Sequence, residues 1–217
     1  MPIPAPFPFP GVTATLDDEA LILRSDELLN ILSSAVVGGG FMRAGVIINR
    51  HVSKDYDHPN PAAELMAFAR RQGVEGNFVG LMTAVYMKNT RIIALAEGDV
   101  RLTLVMTAGF SNAAAAGLSP SADLRPGTIN LIFLIDARLT PAAMVNAVIT
   151  ATEAKTHTLR EWGLQTPDGL PATGTSTDAI VVACTDRGPR FDYAGPVTPV
   201  GRLMARAVRQ GLETAQP

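Results

Sequence analysis

Two stretches concentrate the groups needed for acid, base or nucleophilic chemistry: Thr150 to Thr156, Thr-Ala-Thr-Glu-Ala-Lys-Thr, and Ala172 to Ala179, Ala-Thr-Gly-Thr-Ser-Thr-Asp-Ala. Hydroxyls, carboxylates and an amine stand there in nearly uncharged surroundings. A buried polar group without a partner costs about 1–3 kcal/mol, so this concentration predicts a polar pocket in an apolar frame. On a helix turning about 100° per residue, Lys155 falls on one stripe with Met144, Val148, Ala151, Leu159 and Trp162. Such a lysine either snorkels near the helix end or holds its amine in a pocket. Glu153 points to the opposite face, where His157 follows at i+4. The two are expected to pair, partly buried if the uncharged run over residues 139–152 means that both faces are covered. In Thr173-Gly174-Thr175-Ser176-Thr177-Asp178 the glycine permits close backbone approach to a ligand, the hydroxyls donate and accept, and Asp178 enters the next strand.

Asn49, His51, Asp55, Asp57 and His58 form the one region with two histidines close to carboxylates. Imidazoles at a strand end serve as a general base or as metal ligands. Their spacing matches no zinc motif, so neither a metal site nor any other cofactor is expected. Ser111-Asn112, and Thr128 and Asn130 within Gly127-Thr128-Ile129-Asn130, are further polar clusters at strand edges.

The elements that must position these groups follow from periodicity. Prolines at 2, 4, 6, 8 and 10 alternate with Ile, Ala and Phe, an extended arm that packs on the body or on a second subunit. Short apolar runs at residues 20–23, 28–32, 36–37 and 44–48 read as strands, with Gly38-Gly39-Gly40 as a turn. Asn60-Pro61, Thr140-Pro141 and Thr198-Pro199 each open a helix with a capping side chain and a proline, and Gly73 ends the first. Residues 79–87, 91–96 and 100–107 read as successive strands of a meander. Further strands are expected at 128–135 after Pro126-Gly127, at 178–183 and near 191–193. The pattern predicts an α+β fold, a largely antiparallel or mixed sheet packed against a few long helices in a single domain at 16–213, between the arm at 1–15 and a frayed tail at 214–217.

Composition narrows the function. Apolar residues make up 47% and charged ones 18%, which favours one well-buried core. A net charge of −2 with scattered arginines argues against nucleic acid as a partner. No apolar run reaches the roughly 20 residues of a membrane helix, and the N-terminus lacks a signal-peptide pattern, so a cytoplasmic protein without membrane contact is expected. The single cysteine, Cys184, sits in an apolar run as a small buried hydrophobe.

Taken in order, Asn49 to His58, Gly80-Leu81-Met82-Thr83-Ala84-Val85, Thr107-Ala108-Gly109-Phe110-Ser111-Asn112, Pro126-Gly127-Thr128-Ile129-Asn130, the two stretches above and Tyr193-Ala194-Gly195-Pro196 resemble the adenosylcobinamide amidohydrolase family, the CbiZ type of corrinoid salvage enzyme. The resemblance implies hydrolysis of an amide on adenosylcobinamide, a small-molecule corrinoid, releasing aminopropanol and adenosylcobyric acid. The substrate's cobalt belongs to its corrin ligand and not to a protein metal site. From its composition the chain is expected to fold alone or as a small homo-oligomer. Locally, the Thr-Gly-Thr-Ser-Thr-Asp segment is also similar to a stretch of the self-cleaving ornithine acetyltransferase type.

Amide cleavage needs a nucleophile, oxyanion donors and an acid for the departing amine. Water, or the Thr175 or Ser176 hydroxyl, is expected to attack with His51 or His58 as base. Lys155, Asn112 or Asn130 would support the oxyanion, while Glu153 or Asp178 would orient the base or protonate the amine. Asn49, Thr83, Ser111, Asn112, Thr128, Asn130, Thr156, Thr173, Gly174 and Thr177 are the expected substrate-binding residues. Two rival readings are a corrinoid carrier without catalysis and a self-processing amidohydrolase of another substrate, cut before Thr175 or a nearby hydroxyl residue.

Overall fold

Among the described residues, all three α-helices begin with the same device. Asn60 accepts from the Ala63 N–H at 3.0 Å, Thr140 from that of Ala143 at 3.2 Å and Thr198 from that of Gly201 at 3.1 Å, each followed by a proline that has no N–H to satisfy. These caps start α1 (Pro61–Arg71), α2 (Pro141–Glu161) and α3 (Pro199–Glu213) where the residue types place them. Gly73, at φ +68°, turns the chain out of α1.

The computed structural model describes residues 6–121 and 127–215. Pro2 and Pro4 of the arm, Pro126 of the Pro-Gly turn and the last two residues of the tail lie outside the described residues. The strands are β1 (Val12–Leu16), β2 (Ala20–Ser33), β3 (Gly40–His51), β4 (Val79–Thr83), β5 (Arg91–Glu97), β6 (Val100–Ala108), β7 (Ala113–Ala114), β8 (Ile129–Ile135), β9 (Arg138–Leu139), β10 (Gly174–Thr175), β11 (Ala179–Cys184) and β12 (Arg190–Phe191). The main sheet runs β4-β3-β2-β11-β8-β6-β5, with β1 paired to β2. The β3–β4 and β8–β11 pairs are parallel and the others antiparallel. The class is α+β with a mixed sheet in one domain. Among the described residues, no helix is long and apolar enough to cross a membrane.

Several strand boundaries differ from the sequence expectation. The runs at 20–23 and 28–32 belong to one strand, β2, whose pairing with β3 shifts register between Arg24 and Leu29. Val36 and Val37 make no strand; Val37 forms an isolated bridge to Gly80. β4 stops at Thr83 and gives way to a 3₁₀ turn at Met87–Asn89. The meander across β4, β5 and β6 does not exist, because β4 pairs in parallel with β3 through the α1 crossover and lies at the far end of the sheet from β5. The short connection after β4 therefore crosses the mouth of the sheet instead of turning tightly.

The sheet curls until β4 approaches β8, where the Asn130 side chain donates to the Met82 carbonyl at 2.9 Å. Because side chains alternate along a strand, one face lines the enclosed interior. Leu21, Ile47, Leu81, Val105, Ile132 and Val181 fill it. On the outer face, α2 and α3 cover β6, β8 and β11 through Leu104, Phe133, Ala147, Ala151, Leu203 and Met204. α1 packs outside β3 through Leu65, Phe68 and Ile48.

The proline-rich arm packs on the body: the Thr103 hydroxyl donates to the Pro8 carbonyl at 2.6 Å, and Phe9 joins the interior cluster, 3% exposed. Replacing Phe9 by Ala should lower unfolding stability in urea by about 3–5 kcal/mol, as for a fully buried ring, whereas replacing exposed Pro10 by Ala should change it by less than about 0.5 kcal/mol.

Candidate active site

At one end of the enclosed face, the alternation that lays down apolar side chains switches to polar ones. Two residues beyond Ile47 on β3 comes Asn49, then His51; beyond Leu81 on β4 comes Thr83; beyond Val105 on β6 comes Thr107; and before Ile132 on β8 come Asn130 and Thr128. The carboxamides knit this layer together. Asn130 donates to Asn49 Oδ1 at 2.8 Å as well as to Met82, and Asn49 donates to the Thr107 hydroxyl at 3.1 Å. Both amide protons of Asn130 are thus used within the protein, which leaves none for an oxyanion. The Thr128 hydroxyl faces Asn130 Oδ1 at 2.9 Å and the Thr177 carbonyl at 2.7 Å.

The threonine loop closes over this layer and is tied to α2 by an ion pair. Lys155, 8% exposed, donates to Asp178 Oδ2. The amine is held in a pocket and does not snorkel. Asp178 also accepts from the Thr175 N–H at 3.2 Å, the Ile129 N–H at 3.1 Å and the Thr175 hydroxyl at 2.5 Å. A carboxylate offers about four lone-pair directions, and all of them have donors here. Its place in the structure is therefore that of a knot joining α2, β8 and the loop. Gly174 is required by the same knot, since a Cβ there would lie 2.4 Å from Asp178 Oδ2 and 2.8 Å from Lys155 Nζ. The sequence reading attributed that glycine to approach of a ligand; what approaches is the ion pair.

The rest of the loop is fixed by neighbouring backbone. β10 pairs with β7, Thr156 donates to the Thr173 carbonyl at 2.9 Å, and the Thr177 hydroxyl donates to the Gly127 carbonyl at 2.9 Å, with the Thr175 hydroxyl oxygen 3.1 Å from the same carbonyl. The Asn112 side chain donates to Ser176 Oγ at 2.7 Å.

A cleft of about 370 Å³ opens onto this assembly, bordered by Thr83, Thr128, Ser176, Thr177, Asp178, Tyr56, Asp57 and His58. A second cavity of about 210 Å³, bordered by Lys54, Val85, Tyr86, Phe110 and Ser111, meets it at Gly127. His51 lies in register with Thr83, its Nδ1 3.1 Å from the Val85 carbonyl and its ring 5.2 Å from that of Tyr86. His58 Nδ1 accepts from the Asn60 N–H at 3.0 Å. Asp57 and His58 of one sequence cluster and Ser176, Thr177 and Asp178 of the other thus border one cleft.

Glu153 takes no part in this assembly. It lies on the exposed face of α2, and His157 pairs with Glu161 at 3.1 Å instead, both well exposed. The uncharged run before them does not mean two covered faces, because Val145 and Ile149 remain about half exposed. Sequence reasoning also missed a brace under the histidine loop. Tyr56 donates to Glu64 at 2.6 Å, Arg50 pairs with the other Glu64 oxygen at 2.6 Å, and the Arg50 guanidinium lies over the Phe68 ring. Burial, followed by the bond to Glu64, pushes the Tyr56 hydroxyl up to about 12. The Tyr56 hydroxyl, then Arg50, hold the Glu64 carboxyl below its ordinary range against burial. No local pattern announces this triad, because it exists only once α1 lies on β3.

Breaking the knot should be severe. Asp178→Asn is expected to cost about 3–5 kcal/mol, since it leaves a buried ammonium without its counter-charge, and Gly174→Ala should also destabilise by prising the pair apart. Urea melts of both variants measure this; stability equal to the parent in both would remove the knot from the account.

The chain matches the family model described as adenosylcobinamide amidohydrolase over residues 11–216. It is 34% identical over 207 residues to an adenosylcobinamide amidohydrolase of Methanosarcina mazei, covering 91% of this chain and 94% of that protein. A protein of the same name from Halobacterium salinarum is 35% identical over 142 residues, 62% of this chain and 57% of its own. Among solved structures, a protein from Pyrococcus horikoshii OT3 aligns with a TM-score of 0.48 at 11% identity, over 95% of this chain and 79% of that one. With nearly its whole length matched to the family, and with one relative covered almost end to end, the chain belongs to the adenosylcobinamide amidohydrolase (CbiZ) family.

Proposed function

We propose that this chain hydrolyses the amide joining aminopropanol to the corrinoid side arm of adenosylcobinamide, giving adenosylcobyric acid for cobamide salvage. The observation that carries the reading is the family match over residues 11–216. The cleft agrees with it. At about 370 Å³ it is near the small end of ligand pockets, suited to a side arm and not to a whole macrocycle. The corrin ring then lies across the mouth, where Tyr86 is 61% exposed and Phe110 and Val85 offer apolar contact. Within the cleft the Thr83 and Ser176 hydroxyls, whose oxygens accept from Val85 N–H and the Asn112 side chain, donate to the amide, while the Thr128 and Thr177 protons are held within the protein. Water attacks the carbonyl carbon, the tetrahedral oxyanion is stabilised by donors already fixed in place, and the C–N bond breaks as the amine gains a proton.

In this reading Lys155 and Asp178 position the cleft wall, and neither contacts the scissile bond. Asp178 has every lone pair engaged, and Lys155 is not among the residues bordering the cleft. Asn49 and Asn130 likewise hold the Thr128 hydroxyl in place.

Incubating the purified chain with excess adenosylcobinamide and weighing the products should reveal aminopropanol and adenosylcobyric acid in amounts many times that of protein. Tight corrinoid binding with no amine released would instead identify a carrier. A chain shortened by cleavage before Thr175 would identify a self-processing enzyme.

A further inference from the structure

The two imidazoles beside the cleft are held by opposite kinds of partner. His51 sets Nδ1 against the Val85 carbonyl oxygen, which only accepts, so Nδ1 carries a proton and Nε2 keeps its lone pair. His58 sets Nδ1 against the Asn60 backbone N–H, which only donates, so Nδ1 keeps the lone pair and the proton sits on Nε2. His51 can therefore accept through Nε2 while Nδ1–H stays on Val85, and His58 can donate through Nε2 while Nδ1 stays on Asn60.

We propose that His51 is the proton shuttle of amide cleavage and that His58, through Nε2–H, is the hydrogen-bond donor polarising the scissile carbonyl; this rests on the amidohydrolase reading above. Position supports the division. His58 borders the larger cleft, and His51 lies between the two cavities' walls, in register with Thr83 of the first and against Val85 and Tyr86 of the second. As water oxygen bonds to the carbonyl carbon, its proton passes to His51 Nε2, and His58 Nε2–H donates to the oxyanion. The carbonyl re-forms, the C–N bond breaks, and the imidazolium of His51 returns its proton to the departing nitrogen. The products are a carboxylic acid and an amine, and both histidines end as they began. The ring beside each is Tyr86 for His51 and Tyr56, anchored on Glu64, for His58.

The test compares His51→Ala, His51→Gln, His58→Ala and His58→Gln for amine release from adenosylcobinamide, with near-ultraviolet circular dichroism confirming the fold. A glutamine N–H can replace a hydrogen-bond donor but cannot shuttle protons. His58→Gln should stay within about tenfold of wild type, while His58→Ala loses about 10²–10³-fold. Both His51 variants should lose about 10²–10⁴-fold, with added imidazole restoring turnover to His51→Ala and not to His58→Ala. His58→Gln as inactive as His58→Ala, wild-type rates in His51→Ala, or no response of His51→Ala to imidazole would each overturn the assignment. A wild-type protein that binds the corrinoid and releases no amine would sink the activity itself.

Discussion

The carboxylate of Asp178, with a donor on every lone pair, is the interaction around which the site is built. One oxygen holds the ammonium of α2, and both oxygens hold the loop that precedes β11 and the first residue of β8. A carboxylate so placed is stabilised by its hydrogen bonds as much as by its counter-charge, which is the condition under which a buried ion pair is tolerated. The glycine at 174 and the paired strands β7 and β10 exist to let that geometry form. The consequence for function is a wall of hydroxyls whose positions do not depend on the substrate.

That wall stands on a graded interior. The curled sheet is apolar along most of its enclosed face and polar for its last layer, where carboxamides join β3, β4, β6 and β8. Each polar side chain in the layer costs desolvation, and each is satisfied by another, so the mouth of the fold is rigid as well as polar. A rigid layer of this kind keeps the hydroxyls above it in place for an anion that forms only in the transition state.

Much of this was legible in the residues. Proline after a capping side chain located all three helix starts, and Lys155 declared itself by being a cation on an apolar stripe. The convergence of the threonine loop with α2 follows from buried charge needing a partner. The partner choice of β4 was not legible, because strand periodicity carries no information about which neighbour a strand takes. In the pairing taken, β4 packs closely under α1 at Gly80, where an added Cβ would lie 2.5 Å from Leu65 Cδ2. Glu153 misled because an uncharged run on a helix looks the same whether its far side meets protein or water. The Tyr56–Glu64–Arg50 brace depends on tertiary contact alone.

The account stands on one cleft holding the carbonyl that is cut. A crystal structure of the protein with the product adenosylcobyric acid tests this most directly. The new carboxylate should lie among Thr128, Ser176 and His58, with the corrin ring against Tyr86. A corrinoid seated elsewhere, as in the cavity of about 400 Å³ bordered by Phe41, Pro141 and Met144, would contradict it.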